Sequence, residues 1–493
     1  MVVFRKDKKV TINRWNRNSI QASLKYILKS VYPIIFFLNV FANVIAYYVT
    51  FGNQVDFARK LISWGIMAIY FCVSSGYFIF CVKDKKKYIL VFTFIILILV
   101  ELGASLVING ADMARIRQII LLLIEGFPAV IFAIYAVHEN LGVNFFSGFV
   151  WIGLIMVPWY ILFSIHFITA DISSPGWNMF GGMIYLYPGY TAMFIVQGIL
   201  IAAFYGEKKS KKIQMLQVVV VFVCTLAATC SGSRGVLVGM MVCTIVWFPI
   251  AFWRKQRERS FIFYPCMIMT IIVCFLVFIP FNNARASRFK QFYNEVADGT
   301  LKEALNSEES NMVLKDLNES IDSGKGIFGM LEEKALSAEP DDIKETERLE
   351  KSITNGSMAR VFLYKMALHE IRQHPILGLG GGGYTYKYQT YPHNLILEII
   401  VDFGIPIGGS CIIYVLVCVL RTVKKKWNDE TKAIILFCIS LCVEMMLSGS
   451  LYASPSLLWL AAYFHMSATV RAENRGSSDK KVEKNWINST IHI

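Results

Sequence analysis

Three side chains in this sequence have the types needed to handle a phosphate-bearing ligand. Arg234 lies in "TCSGSRGVLVGM" (229–240), where serines, glycines and one arginine interrupt a very apolar region. Arg360 lies in "NGSMARVFLYKMALHEIRQHPILGLGGGGY" (355–384), and His393 in "YPHNLILEIIVDFGIPIGG" (391–409). A guanidinium offers a planar fork of donors that matches phosphate oxygens, so two arginines facing one cleft would grip a pyrophosphate. A neutral imidazole beside them would accept the proton of an attacking hydroxyl. Taken singly, Arg234 reads as well as an interfacial arginine, and His393 as a capping or core histidine. Only the group is specific, and it requires the chain to bring the three together.

The elements that would do so are membrane spans. Of the 493 residues, 55% are hydrophobic and only 17% are charged, with mean hydropathy +0.50. A soluble chain of that composition is not expected, whereas about 20 consecutive apolar residues cross a bilayer. Such runs predict an all-α, polytopic integral membrane protein with twelve transmembrane helices, near 27–49, 61–82, 88–108, 116–137, 145–168, 183–205, 213–230, 235–253, 261–280, 394–420, 432–449 and 455–470. The basic N-terminal segment, 1–26, is too long for a signal-peptide n-region and lacks a cleavage site beyond it, so the first span reads as retained. Helices 1–9 then occupy 27–280, a large external loop 281–392, helices 10–12 occupy 393–470, and a tail 471–493 follows.

Charge sets the orientation. With the N-terminus inside, the cytoplasmic segments hold 30 of the 49 Lys and Arg, and the long loop holds 14. The short external connections keep only Arg59, Lys60, Arg115, Arg117 and Arg234. Lys and Arg in short loops mark the cytoplasmic side, and long loops are exempt. Both termini are therefore expected inside, and the formal charge of +14 reflects topology and anionic lipid rather than nucleic acid. The 11 Cys are scattered, mostly within spans, without CxxC or Cys/His spacing, so no metal is expected.

The long loop has two parts. Its middle is rich in charge, which reads as a solvated helical hairpin or an acidic insert lacking fixed structure. Its end carries a helical period: Arg360, Leu363, Tyr364, Ala367 and Ile371 share one face, with Lys365, His369 and Arg372 near the opposite one. Arg360 thus joins the stripe expected to pack on the membrane domain, where a cation needs an anion. Pro392 and Asn394 suit a helix start, putting His393 at the positive end of a helix dipole, which favours neutral imidazole.

Secondary candidates surround the trio. Arg115 and Arg117, and Arg285 and Arg288, flank spans on the same side and read as phosphate contacts or as interfacial anchors. Glu398 and Asp402, one turn apart in span ten, are intramembrane acids and hence functional suspects, although helix–helix hydrogen bonding explains them equally. Glu101, Glu125 and Glu444 have the same two readings. Gly380–Gly383 would form an anion-binding nest or a flexible re-entry turn.

"SGSRG" opening a span, "R…YKMAL…I…HPILGLGGGGY" before the next, and "HNLILEIIVDFGIPIG" after it resemble the O-antigen ligase and polymerase superfamily over roughly 213–410. The resemblance implies an all-helical bundle with a large external loop between late spans. It implies a bacterial cytoplasmic (inner) membrane location, with the site facing outside. It further implies transfer of a glycan from a polyprenyl-pyrophosphate carrier, without metal or cofactor and with anomeric inversion. The family's turn arginine falls on Arg234, its loop-helix arginine on Arg360 and its HN histidine on His393. The chain departs from the family in having Tyr364 where Trp is common, and in its long acidic insert. Partners implied are a polyprenyl-pyrophosphate-linked oligosaccharide and membrane lipids, with a flippase and a chain-length regulator as candidates.

These readings lead to a polysaccharide polymerase that joins lipid-linked repeat units for a capsule, exopolysaccharide or O-antigen. The close alternative is a ligase that moves finished glycan to lipid A-core or another acceptor. A glycolipid transporter or flippase fits less well, because the long loop does not divide two six-span halves and no matched pair of interrupted helices is visible. A non-catalytic scaffold fits least.

Overall fold

The computed structural model describes residues 22–39, 42, 45–46, 56–82, 85–109, 113–139, 141, 143–169, 186–206, 209–231, 234–253, 257–273, 357–388, 391–425, 429–447, 450–451 and 457–467. The acidic insert, Arg285, Arg288, residues 1–21 and the C-terminal tail lie outside them. Helix dominates, and no strand occurs among the described residues. In chain order the helices are α1 (22–39), α2 (Asp56–Phe80), α3 (Ile89–Asn109), α4 (Met113–Leu121), α5 (Phe127–His138), α6 (Gly148–Thr169) and α7 (Leu186–Tyr205). There follow α8 (Lys211–Cys230), α9 (Arg234–Trp253), α10 (Arg257–Val273), α11 (Ser357–Gln373), α12 (Gly383–Tyr388), α13 (Leu395–Lys425), α14 (Asp429–Leu447) and α15 (457–467).

Among the described residues five stretches are long and apolar enough to cross a membrane: Lys60–Phe80, Arg115–His138, Phe145–Ile165, Lys211–Cys230 and Leu395–Lys424. Shorter apolar helices include Gly189–Tyr205, Gly235–Trp247 and Leu457–Ser467. Outward-facing apolar side chains mark the surface, such as Leu97 and Val100 on α3 and Trp151 and Ile155 on α6, each more than half exposed. Water would penalise such bands, whereas hydrocarbon accepts them. The chain is an all-α membrane protein.

Helix α7 is the hub. It is apolar on every side, which for a helix means burial all round, and it packs against α6, α8, α9 and α14. Its polar groups are matched inside the bundle: Tyr160 meets Thr191 at 2.8 Å, and the Trp247 indole donates to Gln197 Oε1 at 2.5 Å. The amino-terminal helices form a second region of the same core around Tyr32, whose ring lies 4.9–5.5 Å from those of Tyr77, Phe132 and Tyr135. The span expected at 116–137 is helical but not regular, because a π-helical turn, Leu122–Gly126, joins α4 to α5.

Helix α13 departs most from expectation. "DFGIP" breaks it: Gly404 has φ 73° and ψ 169°, and Pro406 follows. Proline has no N–H to donate to the Asp402 carbonyl one turn back. The segment after α11 fills the gap instead. Leu379 N–H donates to Val401 O at 2.8 Å, Gly380 N–H to Asp402 O at 3.0 Å, and Ile405 N–H to Pro375 O at 2.8 Å. The helix break and the glycine-rich loop therefore satisfy each other's backbone groups. Within a bilayer, irregular backbone survives only when such partners are supplied by protein.

A small core apart from the main one holds this region. Leu363, Met366 and Ala367 of α11, Tyr384 and Tyr388 of α12, and Val401 of α13 bury one another. The α11 stripe is rotated slightly from the expected one. Leu363 and Ala367 are buried as predicted, but Arg360, Tyr364 and Ile371 are half-buried, while Met366 and Glu370 are fully buried. Glu370 can face inward because α12 brings it Lys387 Nζ at 3.0 Å and the Tyr388 hydroxyl at 2.6 Å. Lys365 and His369 are half-buried and only Arg372 of the three outward cations is exposed.

Candidate active site

His393 sits just before α13, outside the helix. Asn394 is the cap: its Oδ1 accepts from Ile396 and Leu397 N–H at 3.1 and 3.2 Å, as the HN pair predicts. His393 has φ +54°, among the described residues the one non-glycine in the left-handed region. A non-glycine residue there costs free energy and persists where its surroundings impose it. The Tyr391 ring lies 4.1 Å from the imidazole, centroid to centroid. Since His393 is not helical, angular separations from Glu398 and Asp402 taken along a helix do not apply to it.

Burial, and after it the positive charge of Arg360, pushes the His393 pKa down to about 4. The imidazole is therefore neutral at ordinary pH, the form that accepts a proton. Its Nδ1 is buried and has no hydrogen-bond partner among the described residues. Among the described residues no carboxylate is hydrogen-bonded to the ring in the manner of an acid–histidine pair. The backbone conformation and the Tyr391 face hold it instead.

Arg360 lies in the first turn of α11, and α11 packs along the first half of α13. Its charge is felt at His393, so the structure brings these two predicted residues together. Arg234 is the first residue of α9, and its side chain lies outside the described residues. The backbone still locates its end of the bundle. A Cβ on Gly235 would lie 3.4 Å from Leu447 Cβ, and three residues further on Ser450 and Leu451 are bound to Glu398 at the start of α13. The α9 start, the end of α14 and the α13 start thus share one end of the molecule.

The secondary candidates separate. Glu398 is not open to a ligand: Oε1 accepts from Ser450 Oγ and Oε2 from Leu451 N–H, both at 2.7 Å. Its carboxylate ties α13 to the segment before α15, which agrees with the hydrogen-bonding reading of this intramembrane acid. Arg115 is only 2% exposed; its guanidinium lies 4.4 Å from the Tyr386 ring centroid and near Glu101. Arg117, two residues on, is exposed. A helix turns 200° in two residues, so one of the pair must point away from the bundle.

The glycine cluster is an anion-binding nest, but the anions are the protein's own carboxylates. Gly381 N–H donates to Glu101 Oε1 at 2.6 Å, Gly382 N–H to Asp402 Oδ2 at 2.9 Å, and Tyr384 N–H to Asp402 Oδ1 at 3.1 Å. These amides are committed and are not presented to a pyrophosphate. Nor is the loop a loose turn, since Gly378 and Gly382, both at φ +68°, approach Asp402 O and Gln118 too closely to admit a Cβ. The pairing of Glu101 and Asp402 with these amides is the feature sequence reasoning missed. The signal was two intramembrane acids and a run of glycines, but nothing in the spacing says that the one binds the other. Among the described residues no cluster of His, Cys, Asp and Glu could hold a metal ion.

No curated protein gave a significant match to the chain. Residues 218–410 match the family model described as O-antigen ligase. The matched segment contains Arg234, Arg360, His393, the glycine loop and the broken helix, while Glu101 and Arg115 lie outside it. That match, with the motifs it encloses, supports a relation of this segment to the O-antigen ligase/polymerase superfamily.

Proposed function

We propose that the protein is a membrane polysaccharide polymerase. The family implies a glycosyltransferase-like enzyme acting on lipid-linked oligosaccharide. In the finer reading, the donor is a glycan on polyprenyl pyrophosphate and the acceptor is a sugar hydroxyl of a second lipid-linked repeat unit. The acceptor oxygen attacks the anomeric carbon from the face opposite the leaving group, so a new C–O bond forms as the C–O bond to pyrophosphate breaks and the configuration inverts. The hydroxyl proton passes to His393, and polyprenyl pyrophosphate leaves with its added charge held by Arg234 and Arg360. Pre-set donors in a low-dielectric cleft are worth most where charge develops, and a positioned base contributes about 10²–10⁴-fold. Twelve crossings, inside termini and an outward-facing site in a bacterial inner membrane complete the proposal.

One observation carries this reading: within the family-matched segment, burial and the charge of Arg360 both keep the His393 imidazole neutral, and α11, which carries Arg360, packs along α13. Reconstitution of the purified protein with a polyprenyl-pyrophosphate oligosaccharide tests it. Arg234→Ala, Arg360→Ala and His393→Ala should each lower elongation by about a hundredfold or more. Normal elongation by all three variants refutes the mechanism.

The matched family's description favours a second reading, transfer of finished glycan to lipid A-core or another surface acceptor. Donor chemistry is shared, so the same three residues serve both. A deletion strain separates them: lost polymerisation leaves single repeats, and lost ligation leaves long lipid-linked chains.

A further inference from the structure

The loop between α11 and α12 is held by charge at three backbone amides and by reciprocal hydrogen bonds to a helix break. Asp402 is 1% exposed and works at both ends: its carboxylate takes the Gly382 and Tyr384 amides, and its carbonyl takes the Gly380 amide. Glu101, from α3, takes the intervening Gly381 amide. The loop so held joins the helix that carries Arg360 to the segment that carries His393. Tyr384 continues the chain of contacts, its hydroxyl donating to the Leu363 carbonyl on α11 at 2.9 Å. Removing the clasp would free α11 to shift along α13, and with it the guanidinium relative to the imidazole.

We propose that Asp402, with Glu101, is a positioning residue of the active site: the two carboxylates clasp the glycine loop in the α13 break and so fix Arg360 against His393. Neither carboxylate touches substrate in this role. The clasp also gives the first third of the chain, outside the family-matched segment, a part in the site, since Glu101 reaches Gly381 from α3. The inference rests on the function proposed above. It differs from a proton-carrying role, the usual suspicion for an intramembrane acid, in what neutral isosteres should do. In Glu101→Gln the amide oxygen still accepts from Gly381, the one N–H that Glu101 serves among the described residues. In Asp402→Asn only one oxygen is left for two amides, and an NH₂ group is set against the other.

The test is steady-state kinetics of the full-length reconstituted protein with a polyprenyl-pyrophosphate oligosaccharide, alongside thermal unfolding. Asp402→Asn should fold, keep the donor KM within about threefold and lose about thirtyfold in kcat, because small misplacements of reacting groups cost far more in rate than in binding. Glu101→Ala should lose about tenfold in kcat at unchanged KM, and Glu101→Gln should stay within about threefold of wild type. Wild-type kcat in both Asp402→Asn and Glu101→Ala overturns the clasp, as does a kcat loss that tracks the unfolded fraction alone. If Asp402→Asn fails to fold, Glu101→Ala decides by itself. Equal loss in Glu101→Gln and Glu101→Ala overturns positioning in favour of proton transfer. If instead Arg360→Ala and His393→Ala elongate normally, the proposed function fails, whatever the clasp variants do.

Discussion

At the residue scale, the chemistry turns on the protonation state of His393. Burial withdraws solvent from the imidazolium and Arg360 repels it, so both causes lower its pKa, to about 4. A general base works in its neutral form, which is populated above that pKa. The acid limb of kcat/KM for the free enzyme should therefore fall near pH 4 rather than near the ordinary histidine value of about 6.5. A limb centred near 6.5 would mean that the imidazole is solvated and Arg360 remote. Arg234 and His393 stand out in sequence as polar interruptions next to apolar runs, and Arg360 as a cation on the packing stripe of a loop helix. The left-handed backbone at His393 was not legible, since histidine adopts that conformation only at a minority of positions.

At the element scale, the break in α13 is the organising feature. Gly404 at φ +73° leaves no room for a side chain: a Cβ would lie 2.1 Å from the Ile376 carbonyl oxygen. Gly404→Ala should therefore cost on the order of 1–3 kcal/mol from backbone conformation alone, with steric displacement in addition. A measured fall in thermal stability together with lost activity fits this, and a wild-type melting temperature contradicts it. Glu398 should behave differently. Glu398→Ala removes the acceptor of the Ser450 hydroxyl and strands the Leu451 amide in a buried setting, at a cost of about 1–3 kcal/mol for the amide. Activity per folded molecule should survive that substitution, and its loss would return Glu398 to the site. Helical periodicity located α11 and its packing stripe, but not the inward Glu370, whose partners Lys387 and Tyr388 arrive only after the chain reverses.

At the scale of the whole molecule, apolar helices around the buried α7 hub make the body of the protein, and α11, α12 and the start of α13 form a cap of their own at one end. Charge placement in the short connections predicts that this end faces outward. Single cysteines at positions 233 and 373 should react with an impermeant maleimide from outside, and one at 427 only after permeabilisation. The reverse pattern would overturn the orientation and the outward site together. Apolar helices were legible because the bilayer demands long apolar runs whatever their packing partners, and five among the described residues are long enough to cross.

The sequence by itself determined the class: hydropathy requires a helical membrane protein, charge bias predicts its orientation, and three motifs in order point to the superfamily that the match over 218–410 supports. Tertiary structure alone decided which polar groups are free for chemistry. It committed Glu398 to Ser450 and Leu451, buried Arg115 over Tyr386, and gave Glu101 and Asp402 to the glycine-loop amides. The physical reason is one of range. Hydropathy is a local property of about 20 residues, whereas the partner of Gly381 is Glu101, 280 residues away along the chain.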